Sequence, residues 1–190
     1  MIRDLVVLLG TVILAVLPAA AQEPKPKAAP PDVKGAAKAP QAVITLEKGG
    51  EIVLEFFPQD APRHVENFVK LVNQKYYDGQ LVHRVEPKFV VQFGDPQTKT
   101  LPLTDRRIGS GGPGYTIKAE FNNRKFERGV LGMARTDDPD SAGSQVYIML
   151  GDAAFLNGKY TAFGRVVKGM EVVDTIKVGD RIASIRMVGQ

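Results

Sequence analysis

From residue 42 onward the apolar residues come in short runs, most of them ended by glycine, proline or a polar turn residue. Runs of that length suit strands and are too short for most helices. Ala42–Glu47 and Glu51–Phe57 flank Lys48-Gly49-Gly50 and read as a hairpin. In the second run Ile52, Leu54 and Phe56 alternate with Val53, Glu55 and Phe57, the period of a strand with two unlike faces. Further strand-like runs are Leu81–Val85, Phe89–Phe93, Tyr115–Ile117, Val130–Ala134, Gln145–Leu150, Ala162–Val167 and Ile182–Val188.

Two segments break the pattern. Asp60 stands where it can cap a helix whose first turn tolerates Pro62. Val65, Phe68, Val69 and Val72 then fall on one helical face, and His64 is expected to be a surface or helix residue. Met170–Lys177 is the second helix, with Val172, Val173 and Ile176 turned inward. Many short strands with two helices predict a mainly β chain. Its architecture is an antiparallel barrel or sandwich with helices over the open ends. A body of about 150 residues buries roughly 70% of its unfolded surface, enough for a core without staples.

The N-terminus does not join this body. Residues 1–21 carry Arg3, run apolar from Leu5 to Leu17 and end on Ala19-Ala20-Ala21. This is the form of a secretory signal peptide cut after Ala21. The apolar run is shorter than the ~20 residues of a spanning helix, so no stable membrane span is expected after cleavage. Asp4 weakens the positive start and leaves a retained anchor as the alternative. The expectation is an exported protein, periplasmic or otherwise extracytoplasmic. Residues 22–40 hold five prolines and four lysines and almost no large apolar side chain. Such a stretch cannot offset its ordering entropy and reads as a disordered leader, a tether or a precursor remnant. The folded domain is expected over 41–190.

Composition removes several chemistries. The chain has no Cys, hence no disulfide, thiolate metal site or cysteine nucleophile. His64 and His83 are its two histidines, too few for a histidine metal cluster. Net charge is +4, from 25 basic against 21 acidic residues, and a nucleic-acid binder carries a denser basic stripe. No nucleic-acid partner is expected. The run Gly109-Ser110-Gly111-Gly112-Pro113-Gly114 lacks the G-K-[ST] ending of a phosphate loop and leads toward a strand, so it reads as a tight loop. Asp137-Asp138-Pro139-Asp140 lacks the spacing of a calcium loop. No G-x-S-x-G nucleophile elbow is present. No metal and no cofactor are expected. Arg84 and Gln92, by contrast, protrude from apolar strands, and Gln145 does so in Ser144-Gln145-Val146-Tyr147-Ile148. Polar groups so placed are paired core features or site residues. Singly each reads as structural; together they read as a site.

The stretch HRVEPKFVVQFGD, residues 83–95, resembles the H-R-x-x-P-x-F-x-x-Q-x-G-D signature of cyclophilin-type peptidyl-prolyl cis-trans isomerases. So do GVLGMAR at 129–135, DSAGSQ at 140–145 and FLNGKYTAFG at 155–164. The motifs stand in the family's order across 42–188, and GSGGPGYTIKAEF resembles the bacterial branch. The resemblance implies a closed eight-stranded antiparallel barrel capped by two α-helices. It implies a monomer that acts without cofactor on proline-containing polypeptides. It makes Arg84 the catalytic arginine, with Phe89 and Gln92 in the same site. Val90, Ala134, Gln145, Tyr147 and Leu156 would line the proline pocket and groove. Arg135, Phe155 and Tyr160 stand where eukaryotic members carry Asn, Trp and His, as in bacterial members.

Phe93 departs from the small residue usual in the family. Its ring either crowds the groove or fills core, and the loop 96–108 is longer than in short members. Two other classes compete with an isomerase. One is a proline-peptide binding module or chaperone with little turnover, for which Phe93 speaks. The other is a lipocalin-type barrel, which requires an apolar lumen. His83 is expected to serve packing, because bond rotation moves no proton.

Overall fold

The computed structural model describes residues 39–189, so the signal-like segment 1–21 and nearly all of the leader 22–40 lie outside the described residues. Eight strands follow in chain order. They are β1 (Gln41–Leu46), β2 (Glu51–Phe56), β3 (Arg84–Glu86), β4 (Val90–Phe93), β5 (Val130–Met133), β6 (Val146–Met149), β7 (Ala162–Lys168) and β8 (Ile182–Met187). The two helices are α1 (Pro62–Asn73) and α2 (Met170–Val173). The expected first hairpin is present, with Val43 opposite Val53 and Ile44 opposite Ile52. All strand pairs are antiparallel, in the order β3-β4-β6-β5-β7-β2-β1-β8.

The sheet curls without closing its ladder, which corrects the expectation of a closed barrel. Strands β3 and β8 are its edges. The chain from Gly79 to Val82 leaves strand geometry and crosses to the residues around the start of β8. Gly79 N–H donates to the Ile182 carbonyl and Val82 N–H to the Asp180 carbonyl, each at 2.8 Å. A single bridge, Leu81 to Arg181, marks this seam. Only Arg84–Glu86 is then left to pair as β3, so the expected strand over Leu81–Val85 is shorter and later. Tyr115–Ile117 is no strand either. Ile117 alone bridges Ala142, and the Tyr115 hydroxyl is drawn off to donate to Asn67 Oδ1 on α1 at 2.7 Å.

Helix α1 lacks a side-chain cap from its own N-cap residue, Ala61. Asp60 accepts instead from Arg124, at 2.9 and 2.7 Å. The capping carboxylate comes from Glu120, which accepts the N–H groups of Arg63 and His64 at 3.1 and 3.0 Å. The same carboxylate holds His64 Nδ1 at 2.7 Å. Of the two expected places His64 takes the helix and not the surface, and it is buried at 1% exposure. Burial lowers its pKa, and Glu120 works against that shift. The buried face of α1 is accordingly His64, Val65, Asn67, Phe68, Leu71 and Val72, with Val69 only partly covered.

The inside of the sheet is filled. Phe68 packs 5.2 Å from Phe56, 5.1 Å from Tyr77 and 5.7 Å from Phe163, ring centre to ring centre. Phe93 is 2% exposed and meets Tyr77 edge-on at 5.9 Å, so its ring fills core and does not enter a groove. The space left among Ile44, Ile52, Val82, Val91 and Phe93 is about 10 Å³, no more than a single water needs. A lipocalin-type ligand does not fit in that space. Val173 and Ile176 cover the interior beside α2.

Candidate active site

A row of side chains crosses four strands on the outer face of the sheet. Arg84 on β3 stands opposite Gln92 on β4, Gln92 opposite Tyr147 on β6, and Tyr147 opposite Gly132 on β5. Directly paired residues share a face, so the register alone aligns these four. The neighbours Val91, Ile148 and Leu131 point the other way, into the core. The outer row has its own apolar floor, built from Val90, Tyr147, Met149, Phe126, Ala153, Leu156 and Ala162.

Hydrogen bonds order the polar part of the row. Arg84 Nη1 donates to Gln92 Oε1 at 3.2 Å. Gln92 Nε2 donates to Gln145 Oε1 at 2.9 Å. Gln145 Nε2 donates in turn to the carbonyls of Gly109 and Gly111, at 2.9 and 2.8 Å. Those glycines are fixed from behind by Asp95, whose carboxylate accepts the amides of Gly109 at 2.6 Å and Gly111 at 3.2 Å. A Cβ at residue 111 would overlap the Asp95 carboxylate, so glycine is required for this approach. The glycine-rich run is thus a pinned wall, not a phosphate loop.

Ten of the sequence-predicted site residues come together around one open cavity of about 300 Å³: Arg84, Phe89, Val90, Gln92, Ala134, Arg135, Tyr147, Phe155, Leu156 and Tyr160. Gln145 lines a neighbouring cavity of about 600 Å³, walled by Gly109–Thr116, which shares Gln92, Ala134 and Arg135 with the first. The Arg84 guanidinium lies 5.8 Å from the Phe89 ring centre. Phe89 meets Phe155 at 5.7 Å, and Phe155 is 64% exposed at the rim. Tyr147 forms the floor between Phe126 at 5.9 Å and Tyr160 at 6.2 Å. Its hydroxyl is buried with no hydrogen-bond partner among the described residues. Burial pushes its pKa well above the ordinary tyrosine value. His83 lines neither cavity, and burial lowers its pKa.

Sequence reasoning assigned no role to two residues that shape the site. Gly132 seats the floor, because a Cβ there would overlap the Tyr147 ring. Asp95 pins the second wall. Its signal was visible as the acidic residue closing HRVEPKFVVQFGD, but its partners lie 14 and 16 residues further on. The chemistry open to such a site is non-covalent. It offers an apolar cavity, a fixed guanidinium at its edge and amide groups that can hold an extended peptide.

Known proteins bear on this geometry. Residues 42–188 match the family model described as cyclophilin type peptidyl-prolyl cis-trans isomerase. A probable peptidyl-prolyl cis-trans isomerase of Brucella abortus is 44% identical over 147 residues, covering 76% of this chain and 75% of that one. Peptidyl-prolyl cis-trans isomerase B of Bacillus subtilis is 41% identical over 146 residues, covering 76% and 95%. Among solved structures, a cyclophilin-type isomerase of Cryptosporidium parvum superposes with a TM-score of 0.70 at 25% identity, covering 80% of this chain and 99% of that one.

Proposed function

The chain belongs to the family of cyclophilin-type peptidyl-prolyl cis-trans isomerases, and on that premise we propose that Arg84 breaks the amide resonance of an X–Pro bond held in the smaller cavity. The activity itself is rotation about such bonds in proline-containing chains. The barrier is ~18–20 kcal/mol, and uncatalysed exchange takes tens to hundreds of seconds. Bringing that to milliseconds requires a factor of ~10⁴–10⁵, roughly 5.5–7 kcal/mol off the barrier.

The apolar walls, Phe89, Val90, Tyr147 and Leu156, hold the prolyl ring and exclude water. Gln92 and the chain near Ala134 hold the peptide while the carbonyl side swings. As the bond twists, the prolyl nitrogen becomes pyramidal and gains a lone pair. A guanidinium N–H can donate to that lone pair only once resonance is lost. The interaction is therefore stronger in the transition state than in the ground state, which is the condition for catalysis. A guanidinium keeps its charge across ordinary pH, and the reaction moves no proton. The observation that carries this reading is the Arg84–Gln92 hydrogen bond at 3.2 Å, which ties the guanidinium to the wall of the cavity that both residues line.

The clients are proline-containing chains outside the cytoplasm, and the protein works there as a folding monomer, tethered or spaced by residues 22–40. The pattern of residues 1–21 supports export, and sequencing the N-terminus of the secreted form checks it, with Gln22 expected first. The catalytic test is cis–trans exchange of a blocked Ala-Ala-Pro-Phe peptide with the full chain. Acceleration that scales with protein concentration is expected. Saturable binding without acceleration would turn the reading to a peptide-binding module.

A further inference from the structure

Resting on the isomerase reading above, we propose that Arg135 selects clients carrying an acidic side chain within two residues of the proline. Arg135 follows β5 and stands on the ridge between the two cavities, lining both. Its guanidinium is locked. Nε and Nη2 donate to the Lys159 carbonyl at 3.2 and 2.9 Å, and Nη1 donates to the carbonyls of Thr136 and Asp137 at 2.6 and 3.3 Å. The group also lies 4.4 Å from the Tyr160 ring centre.

All of these partners are neutral. They fix the side chain and leave its charge without a counter-ion: among the described residues Arg135 forms no ion pair. Arg84 has one carboxylate nearby, Glu86 at 3.6 Å and half exposed. No Asp or Glu lines either cavity. The acids of the following loop are engaged elsewhere. Asp138 accepts the Asp140 amide, and Asp140 accepts the Ala119 amide, both at 2.9 Å. Asp137, which ends the Arg135 clasp through its carbonyl, lies outside both linings. The linings thus present two guanidinium groups and no carboxylate, and of the two only Arg84 has an acid, Glu86, paired with it. A side chain two residues from the proline lies within ~7 Å of it along an extended chain, on the scale of the shared ridge. A charge pair at that range changes binding roughly 3-fold in water and about 50-fold at the screening of a protein surface.

The test uses the full chain and blocked peptides X-Ala-Pro-Phe and Gln-Ala-Pro-X, with X as Glu, Gln or Lys. Catalysed exchange gives kcat/KM for each. In at least one series Glu is expected to exceed Lys by roughly tenfold at low salt, with the ratio shrinking at ~0.5 M salt. Arg135→Gln is expected to cut that ratio at least threefold, and Arg135→Glu to invert it. Glu and Lys peptides within twofold of each other in both series, a preference for Lys, or a ratio untouched by Arg135→Gln would overturn the selection. No acceleration of the Gln peptides by the wild-type chain would overturn the isomerase reading itself, and the selection with it.

Discussion

Along β6, Val146 and Ile148 point into the hollow of the curled sheet while Tyr147 and Met149 point out of it, yet all four are buried. The inner pair joins a core of interlocked rings and aliphatic chains with a residual void of about 10 Å³. The outer pair joins a smaller apolar cluster that stops short of filling its space and leaves a cavity of about 300 Å³. On the inner face the buried Tyr77 hydroxyl is satisfied, donating to the Ser144 carbonyl at 3.2 Å. The outer face sets Arg84, Gln92 and an unpartnered Tyr147 hydroxyl beside apolar walls. An unmet buried hydroxyl costs about 1–3 kcal/mol. One sheet thus separates two tasks: the inner face supplies stability, and the outer face keeps open, partly unsatisfied space in which a substrate can bind.

Substitutions on the two faces should therefore fail differently. Phe163→Ala on the inner face is expected to remove about 3–5 kcal/mol of stability, read by denaturant unfolding, with activity per folded molecule largely kept. A variant that loses activity while keeping stability would break the division. Gly132→Ala is the intermediate case. Its Cβ must displace the Tyr147 ring, and the open side is the cavity, so kcat/KM should fall at least tenfold for about 1–3 kcal/mol of stability. Gln92→Ala releases Arg84 from its aim and should cost about tenfold in kcat/KM, with the unfolding midpoint nearly unmoved.

The smallest effect concerns pH. Burial lowers the pKa of both His64 and His83 from 6.5. The unfolded chain then binds more protons than the folded one below about pH 6.5, so stability is full above that value and falls as pH drops. Each histidine contributes at most about 1.4 kcal/mol per pH unit. Burial alone would raise the Glu120 carboxyl, but hydrogen bonds from the His64 ring and from the His64 and Arg63 amides outweigh it and hold it below 4.5. Its loss on protonation steepens the decline below that pH. His64→Gln should flatten the slope between pH 7 and 5 in thermal melts. Exchange rates should stay level from about pH 6.5 to 9, since the proposed step transfers no proton.

The local rules read most of the strands, because a two-residue period needs nothing beyond neighbours. They also single out Arg84, Gln92 and Gln145, whereas the other eight predicted site residues, all of which line the smaller cavity, rest on the resemblance. What they missed depends on partners far along the chain. Asp60 reads as the cap of α1, but the cap is Glu120, 57 residues from the amide it meets. The same contact buries His64 on the helix, a burial no local rule shows. Gly132 gains its role only once β5 and β6 are in register. The open ladder between β3 and β8 follows from the path of Gly79–Val82, where backbone bonds to Asp180 and Ile182 replace strand pairing.

The most direct test measures two quantities on Arg84→Ala and the wild-type chain: catalysed exchange of an Ala-Pro peptide, and the unfolding midpoint. The Arg84 side chain is 45% exposed and carries no core packing, so its removal should leave the midpoint within a few degrees. Exchange should fall by about 10²–10³-fold, the scale of losing one donor aimed at developing charge. An unchanged exchange rate, or a loss matched by unfolding of the variant, would contradict the assignment of catalysis to this guanidinium.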